Sequence, residues 1–268
     1  GMIRSGNQDG RNGSATVDFE TDGVSFGADY RFNDAFVFGA GVGYGRDDSD
    51  IGEHGSRSEG DAFTLAAYAS YSPGDRFFLD GLIGYQQLDY DLRRYVTVNA
   101  NTVEGSRKGD QWFASVSAGA DIHNGDWQLT PYARVDVAQA TLDGYTESGD
   151  PLYSLAYGDM DVDTTTGNLG VRVDYRMRTG WGLFSPQLRL EYQHDFQGNG
   201  AATMQYADFL TGPTYRAELD DFDRNRVNIG LGGLFGFDTW SMRLEYRGLI
   251  GSGGDSDHGV LLNIEKRL

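Results

Sequence analysis

From Gly23 to Leu268 the chain alternates apolar with small or polar residues in runs of roughly ten, each closed by a turn, about eleven times over. In residues 23–32, Val24, Phe26, Ala28, Tyr30 and Phe32 share one phase, and Ser25, Gly27, Asp29 and Arg31 share the other. Successive strand side chains leave on opposite faces, so each run addresses two environments. Residues 187–192 and 240–247 split the same way. One such strand suits a soluble sandwich equally well; the sum over strands separates the two readings. The polar phase collects Asp29, Asp80, Asp121, Asp136, Asp174, Glu191, Glu245 and Glu265 against Arg31, Arg134, Arg172, Arg176, Arg189, Arg243, Arg247 and Arg267. The apolar phase is uncharged except at Lys266, whose long stem reaches a headgroup layer. An uncharged outside around a self-compensating charged inside predicts an all-β chain, an antiparallel transmembrane barrel whose wet pore is lined by those sixteen residues.

Aromatics bracket the apolar phase. Phe36, Phe77, Trp127, Trp181 and Trp240 fall at one end of the strands, and Tyr44, Tyr85, Tyr192 and Tyr246 at the other. Phe36 to Tyr44 is eight steps, about 26 Å along a strand or about 20 Å vertically at ~40° tilt, the height of a bilayer core between two aromatic girdles.

Turn chemistry alternates with length. Short turns fall at Asn33-Asp34-Ala35, Pro73-Gly74-Asp75, residues 123–126, Thr179-Gly180 and Asp238-Thr239. Long polar connections are expected near 7–16, 47–60, 91–109, 143–162, 197–223 and 252–257. The strands predicted between them span 2–6, 19–32, 36–46, 61–72, 76–90, 110–122, 127–141, 163–178, 183–196, 224–237, 240–251 and 258–268. That is twelve, an even number, with short turns and both chain ends on the periplasmic side and long loops outside. The first is the weakest, since Met2-Ile3-Arg4-Ser5 scarcely alternates and reads as a truncated strand. Residues 1–268 read as one domain with no linker, starting without a signal peptide, as a mature fragment does.

The formal charge of −18 sits mostly in the connections, at residues 47–50, 159–163, 218–223 and 255–257. No basic cluster exists to contact phosphates, so nucleic acid is not expected as a partner. The absence of cysteine leaves no disulfide or thiolate metal site. No stretch approaches the ~18 apolar residues of a transmembrane helix.

Two segments invite a family comparison. Gly27-Ala28-Asp29-Tyr30-Arg31-Phe32, then a short turn and Phe38-Gly39-Ala40-Gly41-Val42-Gly43-Tyr44-Gly45, resembles the opening of the β-domain of classical autotransporters, the type V secretion proteins. Residues 131–136 and 186–194, each led by a proline, resemble that family's later strands, so the resemblance covers nearly the whole chain. It implies a twelve-stranded translocator in the bacterial outer membrane that lets its own N-terminal passenger reach the cell surface. The implied partners are outer-membrane lipids and lipopolysaccharide, the passenger and the barrel-assembly machinery, with the barrel a monomer and no cofactor. Nothing before residue 19 reads as the family's pore helix, so passenger and helix are expected outside this chain. The last residue is leucine where the family tends to end on an aromatic. The alternative is a channel for small solutes, which would use the same lumen charges as a selectivity lining.

Covalent chemistry is not expected. A barrel phospholipase needs a Ser beside a His on the lipid-facing phase. His194 has that phase, but Tyr192 and Phe196 flank it; His54 and His258 lie at loops and His123 in a turn. No Gly-x-Ser-x-Gly elbow occurs, and the acidic loops lack EF-hand spacing, so neither a catalytic nor a metal site is assigned. The lumen pairs read as structural, satisfying one another and holding neighbouring strands in register.

Overall fold

The computed structural model describes residues 1–10, 15–197, 201–218 and 223–266. Among them, twelve antiparallel strands close on one another: β1 (Met2–Gln8), β2 (Val17–Arg31), β3 (Phe36–Ile51), β4 (Ser56–Tyr71), β5 (Phe77–Val96), β6 (Asn101–Ala120), β7 (Trp127–Leu142), β8 (Met160–Tyr175), β9 (Gly182–Asp195), β10 (Asn225–Gly236), β11 (Trp240–Gly251) and β12 (Ser256–Lys266). Each pairs with its sequence neighbour, and β1 pairs with β12, so the sheet has no outer strand. Closure is the solution that leaves no sheet edge in hydrocarbon.

Register fixes the barrel's shape. Starting at Asp121, the residue after β6, which accepts a hydrogen bond from Thr130, and stepping to the paired residue on each strand in turn leads through Arg172, Arg247 and Arg4 and reaches β6 at Arg107, fourteen residues from the start. A shift of that size around twelve strands tilts them by about 40° from the barrel axis.

The packing is inverted relative to a soluble protein. Phe26, Leu65, Ile83, Val135, Leu190 and Leu231 are exposed on the outer face, whereas Thr130, Asn168, Asp174, Glu191 and Glu245 are buried. Among the described residues the buried apolar side chains, Phe19, Leu88, Val96 and Val103, all lie towards the loop end of their strands.

Two expected loops are strands. Residues 47–60 and 91–109 extend the β3–β4 and β5–β6 hairpins, so the connections shrink to Gly52-Glu53-His54-Gly55 and Thr97-Val98-Asn99-Ala100. Beyond the bilayer both faces of a strand meet water, so the alternation that identifies strands fades while pairing continues. Within the connections expected at 143–162 and 197–223, parts of which lie outside the described residues, Tyr145–Thr146, Leu155–Tyr157, Ala201–Tyr206 and Tyr215–Glu218 form a four-stranded sheet at the loop end. Met2 pairs with Gly23 and Leu261, so β1 begins partway up the wall and not at the short-turn end.

Pro131 and Pro186 lie inside β7 and β9. The strands opposite are interrupted at Asp121 and Arg176 and resume at Ile122–Asn124 and Met177–Thr179, since proline has no N–H for the ladder.

Candidate functional site

Side chains two strands apart meet across an intervening glycine, which identifies the concave face. Tyr132 on β7 donates to Glu191 on β9 at 2.6 Å over Gly170 of β8. A Cβ on Gly170 would fall 2.4 Å from the Tyr132 ring. Tyr68 on β4 likewise reaches Asp29 on β2 at 3.2 Å over Gly39. Arg189 on β9 reaches Glu245 on β11 at 3.1 Å over Gly230. Only a residue without a side chain leaves room for such a contact.

The expected lining residues largely converge. Glu245 takes both Arg189 and Arg247, the latter at 3.0 Å. Asp136 accepts from Ser115 at 2.6 Å, Asn168 at 2.8 Å and Arg134 at 2.9 Å, and Arg134 also reaches Glu191 at 3.2 Å. Asp174 accepts from Arg172 at 3.0 Å and from Gln187. Asp121 accepts from Thr130 and Gln128 at 2.6 and 2.8 Å, and Asp80 from Ser70 at 2.6 Å. Every one of these carboxylates is held, as burial of a charge requires.

Other assignments stand apart from that network. Arg176 is exposed at the short-turn end, against Gln128 and His123. Arg31 and Glu265 are exposed, Arg243 forms no ion pair among the described residues, and Arg267 lies outside them. The charge census passed over the uncharged partners Tyr68, Ser70, Ser115, Tyr132, Asn168 and Gln187. Their phase along each strand marks them.

On the outer face Phe77, Trp127, Trp181 and Trp240 are exposed beside the short turns, and Trp240 stacks on Phe237 at 3.9 Å. Phe36 is half-buried in the same band, near Phe38. Tyr44, Tyr192 and Tyr246 are exposed on the opposite half. Tyr85 is half-buried against Trp112, an exposed aromatic of that band that the sequence reading did not include.

At the mouth, residues 145–157 lie against β5 and β6: Glu104 and Ser148 exchange both main-chain bonds, and the Glu147 side chain reaches Arg94 of β5. Glu147, 6 % exposed, takes two bonds from Arg94 at 2.8 and 2.6 Å, and that bonding raises the guanidinium's pKa. Asp150 accepts from Asn101 and Asn99, and from the amides of Leu152 and Tyr153, at 2.6 to 3.0 Å. Those donors, Asn101 foremost, hold its pKa down at about 2. The Tyr145 ring fills the space over Gly105, stacks on Tyr157 at 4.7 Å and lies 5.4 Å from Arg107, whose Nε and Nη2 are buried without a hydrogen-bond partner. Burial pushes the Tyr145 phenol up and the Arg107 guanidinium down.

A serine and a histidine do meet, contrary to the sequence reading. Ser5 and His258 are cross-strand partners with Oγ and Nε2 3.3 Å apart, on the outward phase. The reading failed because 253 residues separate them. No carboxylate bonds the second ring nitrogen of His258 among the described residues, and the strand amides around Ser5 are spent on the ladder.

The chain matches the autotransporter beta-domain family over residues 1–247. It belongs to that family. Autotransporter beta-domains are outer-membrane translocator barrels, which places this one in the bacterial outer membrane. Esterase EstA of Pseudomonas aeruginosa is 27 % identical over 246 residues, 86 % of this chain and 37 % of that protein. YaiT of Escherichia coli K12 is 25 % identical over 264 residues, 97 % of this chain and 25 % of that protein. The chain thus spans well under half the length of these curated relatives. The translocator domain of autotransporter NalP from Neisseria meningitidis superposes with a TM-score of 0.80 at 16 % identity, covering 100 % of this chain and 86 % of that one. At that identity the likeness is one of fold, and it agrees with the twelve-stranded closure.

Proposed function

We propose that this autotransporter beta-domain carries its own N-terminal passenger to the cell surface through a passage lined by the inward residues, from Asp29, Asp80 and Asp121 on one wall to Arg134, Arg172, Arg189 and Arg247 on the other. The observation that carries this reading is the concave face itself. Its carboxylates are held by hydrogen bonds and ion pairs, some of them across glycine gaps, so the passage offers a polar lining along its height. The domain acts as a single unit and a monomer, seated by its two aromatic bands in outer-membrane lipid and lipopolysaccharide and inserted by the barrel-assembly machinery. We assign it no covalent step: among the described residues no carboxylate orients His258 beside Ser5, and an esterase activity such as EstA's name records would reside in a passenger.

The test fuses a reporter and a helical linker ahead of Met2, expresses the fusion in a Gram-negative host and treats intact cells with protease. Removal of the reporter, with a barrel that shifts on heating in gels, is the expected result. A folded barrel whose reporter stays protected overturns it.

A further inference from the structure

The arginines of the lumen are not scattered. The row of paired residues that defines the barrel's register passes in succession through Arg172 on β8, Arg189 on β9, Gly230, Arg247 on β11, Gly259 and Arg4 on β1. Further on it ends at Arg107 on β6, beneath the mouth sheet. The row runs across tilted strands, so it climbs: with ~4.8 Å between strands and a tilt of about 40°, each step gains about 3 Å, and Arg4 stands about 15 Å above Arg172. Arg172 and Arg189 are directly opposed, and the later steps to Arg247 and Arg4 are two strands each.

The acids lie in the neighbouring rows, two residues along each strand: Asp174 and Glu245 on one side, Glu191 and Asp257 on the other. The two kinds of charge differ in what they have left to offer. Glu245 accepts at both oxygens, Asp174 at both, and Glu191 at both. An arginine has five N–H donors. Arg172 commits only Nε, to Asp174, and Arg247 commits Nε and Nη2, to Glu245. Acids engaged at both oxygens, beside guanidinium forks with most of their N–H donors uncommitted among the described residues, make a surface with surplus donors even where net charge is small.

We propose that this ascending arginine row is a binding track for the carboxylates of an extended acidic polypeptide segment passing from the periplasmic end to the mouth. This rests on the translocator reading, since it names the chemistry that the passage favours. Planar forks suit carboxylates in bidentate geometry, and the row hands a carboxylate from one strand to the next while it rises.

The refolded barrel is placed in a planar bilayer, and short poly-L-glutamate or poly-L-lysine of equal length is driven in from the short-turn side. Glutamate blockades are expected to last at least tenfold longer than lysine blockades in the parent protein. They should shorten by tenfold or more in R172Q/R189Q, where Arg247 still holds Glu245, and in R247Q, where Arg189 still does. Lysine blockades as long as glutamate's overturn the proposal with no variant required; so do variants that hold glutamate as the parent does. If the proposal falls while the fused reporter still reaches the cell surface, the translocator reading stands. If a folded barrel fails to display the reporter, that reading falls instead.

Discussion

Replacing Gly170 by alanine should destabilise the barrel far more than a strand glycine ordinarily would. Alanine is the better strand residue by roughly 0.5–1 kcal/mol on backbone grounds alone. Here the new Cβ would lie 2.4 Å from Cζ, 2.5 Å from Oη and 2.8 Å from Cε1 of Tyr132. The ring must therefore retreat by about 1 Å to reach ordinary contact. Its hydroxyl bonds Glu191 at 2.6 Å, and a retreat of that size carries the pair beyond hydrogen-bond range. The loss is one charge-assisted bond, about 1.5–3 kcal/mol, together with about 1 kcal/mol or more of packing strain. Net of the alanine preference, G170A should cost about 2–3 kcal/mol. The assay is the urea midpoint of the heat-modifiable form in lipid vesicles, measured for G170A in the parent and in a Tyr132→Ala background. With the ring gone, the same substitution should cost less than about 0.5 kcal/mol. Equal costs in both backgrounds would refute the idea that glycine acts as a window between strands.

The mouth offers two further tests. Glu147→Ala leaves Arg94 half-buried without its carboxylate, at a cost of about 1–3 kcal/mol once solvent exposure of the arginine is allowed for, so external protease should cut residues 143–159 on intact cells roughly ten- to a hundredfold faster; an unchanged rate would remove the pair as a latch. The depressed pKa of Asp150 gives the mouth a pH dependence of defined sign: its contribution is complete above the ordinary value of 3.8 and is lost as pH falls through about 2. Hydrogen exchange at the amides of Leu152 and Tyr153, corrected for intrinsic rates, should accelerate below pH 4 relative to strand amides; exchange that tracks the strands would refute it.

The sequence by itself determined the twelve strands, their phase, the charged inside and the lipid-compatible outside, because a bilayer and a wet lumen each impose one composition on alternate residues. Residues 24–32 and 188–192 can be assigned to faces from their order alone. That signal stops where the bilayer does: at Asp47-Asp48-Ser49-Asp50 both faces are polar, so strand reads as loop, and the folded-in segment around Glu147 and Asp150 carries no period at all. Tertiary structure alone decided which charges meet. Ser5 with His258, Arg4 with Asp257 and the meeting of Arg189 with Glu245 over Gly230 depend on closure and on a register shift of fourteen residues. A two-residue repeat assigns each side chain to a face; the height at which it meets its neighbour is set by how the strands slide before the barrel closes.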